Sequence, residues 1–453
     1  MNGKSRRPST DPVSHRGLLN RVVAGGIGGI VAEQVEIARA AHVAGTAAIK
    51  VALIGCGSRG TGAASQILKT EGPVKLWAMA DLFEDRLDSS LTNLLKGQEA
   101  DYDREAHAGF AARIDVPRER RFVGFDAYRS AIDSGVDLVI LATHAHFRPM
   151  QLAYAVERGK HIFTEKPLAI DAPGVRRVLA ANRQAQQKNL KVAVGLHMRH
   201  HVRYQETVQR LRDGAIGPIG LMRCFWNMSF LRDTPPRPPE MTEMMYQLRN
   251  PYHFVWLNGD YIVDALIHYL DMCNWLQGAH PIEAQGQGGR TFRLPNQSGD
   301  TFDHHAVEFT YANGSKMFAQ TRQMSGCWNS SSVHAHGPKG SADVGAGRIE
   351  GETPWRFRGR TVTNPYQAEQ DALIDAICND KPYNEVEYAA TTTMTGILGR
   401  MASYSGQMIR WDEAIDSTVS LAPSAYAFDA TPPVVADTEG HYPVATPGTT
   451  KVL

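Results

Sequence analysis

Ile49–Gly62 reads IKVALIGCGSRGTG. Its run Val51-Ala52-Leu53-Ile54 is apolar throughout, the texture of a short parallel strand buried on both faces. It passes directly into Gly55-Cys56-Gly57-Ser58-Arg59-Gly60, and the residues after Gly62, AASQILKT, favour a helix. Strand, G-x-G-x-x-G and helix in that order give the pattern its meaning. Gly55 allows the tight turn, Gly57 lets a pyrophosphate approach the backbone, and Gly60 lets helix and strand pack closely. The helix start at Ser58 and Arg59 presents free N–H groups and a partial positive charge to phosphates. A second strand, Val74–Ala80, ends at Asp81. That acid stands about twenty residues past the last glycine, where a dinucleotide-binding unit carries its ribose ligand. A carboxylate there accepts a 2′-OH and repels a 2′-phosphate, so NAD is expected and NADP disfavoured.

The same texture continues. A charged helix is expected over Glu84–Leu95, a polar helical stretch over Lys96–Arg121, and a strand at Phe122–Phe125. A helix follows over Asp126–Ser134, then a buried strand over Val136–Ala142 that ends at Thr143-His144-Ala145-His146. Arg148–Arg158 reads as a helix, and the strand Lys160–Thr164 delivers Glu165-Lys166-Pro167. Strands and helices alternating at this length imply a doubly wound parallel sheet, a Rossmann-type domain over residues 49–170. Ligands of such sheets sit outside the carboxyl ends of the strands, where Gly55, Asp81, Thr143 and Lys166 fall.

After Pro167 the pattern changes. Pro173–Lys188 and Tyr204–Asp213 read as helices, and Lys191–Leu196 as a strand. Long strand-like stretches follow at Leu221–Phe230, Ile282–Gly286, His305–Tyr311 and Lys316–Gln323, with a hairpin signal at Asn313-Gly314. Residues 171–417 are therefore expected to form a second α/β domain with an open, mostly antiparallel sheet, closed by helices over Tyr366–Ile377 and Thr391–Gln407. A Pro-rich insertion, Asp233–Glu240, leads to Tyr252-His253-Phe254-Val255-Trp256, which reads equally as a surface loop and as the rim of a sugar site. Residues 418–453, rich in Ala, Pro and Thr, read as a loose tail.

The 453 residues suffice for two or three domains, with 43% hydrophobic and 21% charged residues. A formal net charge of +1 points to neither nucleic acid nor an anionic membrane as partner, and no run reaches the length of a membrane span. Cys56, Cys224, Cys273, Cys327 and Cys378 show no C-x-x-C spacing, so neither a disulfide framework nor a zinc ribbon is expected. Residues 1–48 form a leader. Arg6-Arg7 ahead of the glycine-rich apolar segment Val22–Ala32 fits a degenerate twin-arginine export signal. Pro8 and Asp11 fit a plain leader better, so a cytoplasmic and a periplasmic location both stay open.

Gly259–Trp275, GDYIVDALIHYLDMCNW, reads as one helix, apolar except for Asp264, His268, Asp271 and Asn274. Asp264, His268 and Asp271 are spaced i, i+4, i+7 and share one face. With the nucleotide fingerprint and Glu165-Lys166-Pro167, the Asp264-x-x-x-His268 pair makes the chain resemble the Gfo/Idh/MocA oxidoreductases, the family of glucose–fructose oxidoreductase and the inositol dehydrogenases. The resemblance runs from about Ile49 to Ser417. RGTGAA, DAPGVR, DGAIG and GRIEGET add a likeness to an exported branch common in planctomycete-type bacteria.

The resemblance implies that Lys166 binds the reacting oxygen and the nicotinamide ribose. His268 acts as general base on a secondary alcohol, and Asp264 orients its imidazole. The chemistry is coherent: histidine titrates near working pH, and a lysine cation steadies a developing alkoxide. The Lys166–Pro167 bond is expected to be cis. Thr143, His146 and Glu165 are expected along the cofactor, with His144 where the family usually has proline. His197, Arg199 and Trp256 are expected at the sugar, joined by Asp264 and His268; Arg322 is placed equally well for that use or for a solvated face. The 17 histidines include several close pairs, but no H-E-x-x-H-like spacing appears and no metal is expected.

The implied activity is hydride transfer between a nicotinamide and a secondary hydroxyl of a sugar, polyol or sugar derivative, in a homo-oligomer, a dimer or tetramer, whose contacts use the open sheet. Two rivals remain: a redox-neutral glycosidase or lyase using transient oxidation, and a non-catalytic sugar or NAD sensor. Retention of both Lys166 and His268 argues against the sensor.

Overall fold

The structure, a computed structural model, describes residues 48–96, 110–229, 234–292, 299–359 and 364–453. Residues 1–47 and half of the stretch expected to be helical after Lys96 lie outside the described residues; the described half holds two short 3-10 turns, Phe110–Arg113 and Arg118–Arg120, in place of a helix.

The first lobe follows from its apolar runs. Strand β1 (Ile49–Ile54) is buried at five of six positions, because helices cover both faces. It feeds α1 (Ser58–Lys69), then β2 (Val74–Asp81), α2 (Glu84–Leu95), β3 (Arg121–Val123), α3 (Ala127–Asp133), β4 (Leu138–Leu141), α4 (Arg148–Glu157) and β5 (His161–Thr164). Helix α5 (Ala172–Gln187) is capped by Asp171, whose carboxylate accepts the Gly174 N–H at 2.8 Å, and leads to β6 (Val192–Val194). The strands lie all parallel in the order β3-β2-β1-β4-β5-β6. The order reverses at β1, so β1, β2 and β4 open a crevice at their carboxyl ends. Because β6 pairs with β5, the parallel sheet extends past residue 170, where the sequence pattern had suggested its end.

The second lobe begins with α6 (Val202–Arg212), β7 (Leu221–Met228) and α7 (Glu243–Arg249). The expected single helix over 259–275 is two: a one-turn piece, Tyr261–Asp264, and α8 (Ile267–Gln277). Strands β8 (Pro281–Gly289), β9 (His304–Tyr311), β10 (Lys316–Gln323), β11 (Ser330–Gly337), β12 (Gly340–Asp343), β13 (Arg348–Gly351) and β14 (Trp355–Arg356) follow. Then come α9 (Pro365–Cys378), α10 (Val386–Ser405), β15 (Ile409–Arg410) and α11 (Trp411–Asp416). The strands form one sheet in the order β14-β13-β12-β11-β7-β10-β9-β8-β15. Every pairing is antiparallel except β7 with β10. Gly314, at φ +84°, turns the expected β9–β10 hairpin.

Helices α8 and α10 cover the inner face of this sheet, and one core runs from there to the parallel sheet, with Val139 and Leu141 at one end and Phe309 and Val333 at the other. Residues 418–453 form no helix or strand, yet they are not loose. The Phe428 ring lies 5.7 Å from Phe83 and 5.0 Å from Phe125, and Tyr442 is buried against Phe254 at 5.1 Å. A few aromatic anchors hold a segment whose overall composition suggests disorder. Among the described residues, no helix is long and apolar enough to cross a membrane.

Candidate active site

Two regions converge at the carboxyl ends of the parallel strands. The first is a cavity lined by Gly55, Gly57, Asp81, Arg86, Thr143 and His144, among others. Gly55 turns at φ +94°, and a Cβ there would meet the Ala142–Thr143 backbone at 2.6 Å. A Cβ on Gly60 would stand 1.9 Å from the Gly55 carbonyl oxygen, which is why helix and strand can meet only around glycine. Gly57 differs: nothing lies within 4 Å of its Cβ position. It precedes α1, which has no side-chain cap, so the helix N-terminus is free to receive phosphate.

Asp81 accepts the Cys56 N–H at 2.6 Å and the Phe83 N–H at 2.9 Å and lines the same cavity; burial pushes its carboxyl pKa up. Open space at Gly57, uncapped amides and an acid at the end of β2 fit a dinucleotide. Ser58 is exposed at the first turn of α1. The Arg59 guanidinium turns the other way, to Glu165 (2.9 Å), Gln66 (2.6 Å) and the face of Tyr366 (4.8 Å).

The loop after β4 departs from expectation. Thr143 lines the cavity and donates to Gln151 at 2.6 Å. His146 does not line it. Its Nε2 sits 2.8 Å from the Tyr426 hydroxyl, and its ring abuts Trp256 at 5.3 Å. His144 faces the cavity in its place, with Nε2 3.2 Å from the Leu248 carbonyl oxygen. Trp256, expected at the sugar, is 2% exposed and donates to Gln247 at 2.7 Å. Residues of α7 and of the C-terminal segment share its apolar cluster, so it serves as core.

The second region joins the lobes. The Lys166–Pro167 peptide is cis. Lys166 Nζ donates to the Asp264 carbonyl oxygen at 2.8 Å and lies 3.5 Å from its carboxylate. The Asp264 carboxylate thus meets the lysine, and among the described residues it makes no hydrogen bond to His268, contrary to the expected orienting role. The helix is interrupted between the two residues, at Ala265 and Leu266.

His268 opens α8, is 9% exposed, and presents its ring edge-to-face to His197 at 4.7 Å. Burial, with His197 and Lys166 nearby, holds the His268 pKa well below the usual imidazole range, so the ring is neutral. His197 stacks on Tyr366 at 4.0 Å, and burial beside Arg59 and Lys166 lowers its pKa to about 3.

Arg199 is not at the sugar. It grips Asp271 through Nε (2.7 Å) and Nη2 (2.9 Å) and lies 3.7 Å over Tyr388. Arg322, near the end of the interior strand β10, donates to the Trp328 carbonyl oxygen in the loop that follows.

Sequence reasoning missed Arg148, which ties the two strand ends together: Nη1 donates to the Pro167 oxygen (2.6 Å) and Nη2 to the Thr143 oxygen (2.7 Å). It also missed Tyr366 and Leu248, for which the sequence holds no local signal. Among the described residues, no group of three or more His, Cys, Asp or Glu is placed to hold a metal.

A family model described as an oxidoreductase family with an NAD-binding Rossmann fold matches residues 49–196, and one for the GFO/IDH/MocA C-terminal domain matches 204–343. The chain belongs to the GFO/IDH/MocA family. Among curated GFO/IDH/MocA relatives, it is 27% identical over 163 residues to the scyllo-inositol 2-dehydrogenase (NAD(+)) of Bacillus subtilis, covering 36% of this chain and 42% of that one. It is 25% identical over 237 residues to the inositol 2-dehydrogenase of Ralstonia nicotianae, covering 52% and 57%. The chain thus spans about half the length of the curated relatives it matches.

Among solved structures, the aldose-aldose oxidoreductase from Caulobacter crescentus complexed with glycerol shares the fold at TM-score 0.61 and 16% identity, over 80% of this chain and all of that one. The scyllo-inositol dehydrogenase from Lactobacillus casei with bound NAD(H) and scyllo-inositol does so at TM-score 0.58 and 18% identity, over 81% of this chain and all of that one.

Proposed function

We propose that the protein is an NAD-dependent oxidoreductase acting on a secondary hydroxyl of a sugar, polyol or sugar derivative. The observation that carries this reading is the meeting of Lys166, from the end of β5, with the start of the His268 helix through the Asp264 contact at 2.8 Å. A cation from one lobe and a neutral, buried imidazole from the other stand at the carboxyl edge of a dinucleotide-binding sheet. Bound NAD, held by Gly55, Gly57, the start of α1 and Asp81, would supply the hydride acceptor. His268 would take the hydroxyl proton as the carbonyl forms. Lys166 would steady the charge gathering on the oxygen, and the Asp264 carboxylate would keep the lysine aimed and charged. Burial of His268 excludes water from the proton-transfer step.

Asp81 supports NAD over NADP through the 2′-hydroxyl. The outer face of the nine-stranded sheet exposes Phe318 and Trp328 and would serve self-association.

The test is a panel of polyols and sugars, scyllo-inositol and myo-inositol first, read at the NADH absorbance band with NAD and NADP in parallel. Turnover with NAD that disappears in Lys166→Ala and in His268→Gln supports the reading; turnover that survives either change refutes it. Release of free sugar without NADH would instead support the redox-neutral alternative.

A further inference from the structure

Behind the lysine and histidine lies a set of buried polar atoms that the chemistry above does not use. The Nδ1 atoms of His197 and His268 are buried without a hydrogen-bond partner among the described residues, and the buried Glu369 carboxyl and Gln370 amide have no side-chain partner there beyond each other. Buried polar groups are almost always paired, so several orphans in one place call for ordered water or a group in transit.

The two imidazoles are neighbours, and Glu369 and Gln370 lie one turn along the helix whose Tyr366 touches His197. His197 touches His268 edge-to-face at 4.7 Å and stacks on Tyr366 at 4.0 Å. Tyr366 sits in the first turn of α9, and Glu369 and Gln370 follow at i+3 and i+4, on the same side of that helix. Helix α9 packs on the His197–His200 turn and on α1. Glu369 and Gln370 are both fully buried.

Alcohol oxidation releases a proton as well as a hydride. His268 is too deeply buried to pass a proton straight to bulk water, and its neighbour on the way out is His197. We propose that His197 is a relay: through a water between the two unpaired Nδ1 atoms it takes the proton from His268, and it hands the proton on past Glu369 and Gln370 toward solvent. The proposal rests on the oxidoreductase reading.

The balance is complete. As the C=O bond forms, the carbon loses hydride to the nicotinamide and the hydroxyl proton goes to His268. His268 returns to neutral by giving a proton to His197, and His197 by giving one to water. The net products are carbonyl, reduced dinucleotide and one proton in solvent.

The groups around His197 suit passage rather than storage. Arg59, Lys166, His200 and His201 all disfavour a charged His197 ring, while Glu165 is engaged by Arg59 and Glu385 by His200. Burial, with Glu165 and Glu385 nearby, holds the Glu369 pKa well above the usual carboxyl range, which favours its protonated form.

The experiment compares full-length wild type, His197→Ala, His197→Gln and Glu369→Gln, using the best substrate of the polyol panel. It measures kcat, KM, NAD affinity by fluorescence, and proton release with a pH indicator in stopped flow. The expected result for His197→Ala is a fall in kcat on the order of a hundredfold, as for loss of a proton-transfer group. KM and NAD affinity hold, proton release lags NADH formation, and added imidazole restores the rate. His197→Gln reports the same loss should the alanine variant fold poorly. Glu369→Gln is expected to make kcat depend on buffer concentration.

A rise in KM with unchanged kcat would mean that His197 binds a substrate hydroxyl, and would overturn the relay. So would a fall in kcat that neither imidazole nor buffer relieves. If His268→Gln is also fully active, or no panel member turns over, the oxidoreductase reading falls and takes the relay with it. If His268→Gln is dead while His197→Ala is normal, the relay alone falls.

Discussion

Arg199 offers a sharp contrast between pattern and structure, and Arg199→Met tests it. Its position after β6 suggests a sugar ligand, but the structure commits it to Asp271 at 2.7 and 2.9 Å, a two-pronged charged pair. Asp271 is 1% exposed, and beyond Arg199 it accepts only from Thr392, at 3.0 Å, among the described residues. Removing the guanidinium would leave a buried carboxylate with one neutral donor, a change that costs about 3–5 kcal/mol. The methionine would refill part of the stem's packing on Trp275 and Tyr388 but none of the charge. Replacing both partners, Arg199→Met with Asp271→Leu, would remove the stranded charge and recover roughly 2 kcal/mol against the sum of the single changes. Urea denaturation followed by tryptophan fluorescence measures all three, and polyol KM measured on the folded fraction separates stability from binding. The reasoning is refuted by an Arg199→Met protein with a wild-type midpoint and a sharply raised KM, since the arginine would then reach the sugar.

The two turn glycines should behave oppositely. Gly60→Ala drives a Cβ against the Gly55 backbone oxygen, so it should open the turn and lower both melting temperature and NAD affinity. Gly57→Ala meets no protein atom, so the melting temperature should hold while fluorescence titration shows weakened NAD. His146, held by burial at a pKa of about 4, should make folding acid-sensitive. Its folded value lies below its unfolded one, so its contribution is full above about pH 6.5 and is lost as pH falls toward 4, roughly 2 kcal/mol of it between pH 7 and 5. His146→Gln, which preserves a partner for Tyr426, should flatten that slope in denaturation curves taken across the range.

How much of the fold could be read in advance follows how local each signal is. The turn at Gly55–Gly60, the strand to Asp81 and the hairpin at Gly314 rest on neighbours in sequence, and the described residues of 49–95 and 121–164 alternate as expected. The failures are long-range. Val192–Val194 joins the first sheet only because β5 offers its free edge, which no residue near 192 announces. The apolar run over 259–275 has no proline or central glycine to break it, yet the helix breaks after Asp264. In a continuous helix the Asp264 carbonyl would serve residue 268, whereas here it accepts from Lys166, nearly a hundred residues upstream. Residues 418–453 look disordered by composition, and three aromatic residues among many small ones were enough to dock them.

The candidate site divides the same way. Spacing placed Asp264 and His268 on one helical face and so suggested that the carboxylate orients the imidazole. Once the helix breaks, the carboxylate belongs to Lys166, and the imidazole's neighbours come from two other segments, His197 after β6 and Tyr366 at the start of α9. Residue type and spacing can nominate an acid, a base and a cation, but pairing them requires the docked lobes. This has a chemical consequence. The lysine–aspartate contact joins the nucleotide lobe to the substrate lobe at the point where the hydroxyl would react, so any motion that separates the lobes also dismantles the charge arrangement. The neutral state of His268 has the same origin in docking: its burial and the nearness of His197 and of Lys166 from the other lobe are what lower its pKa.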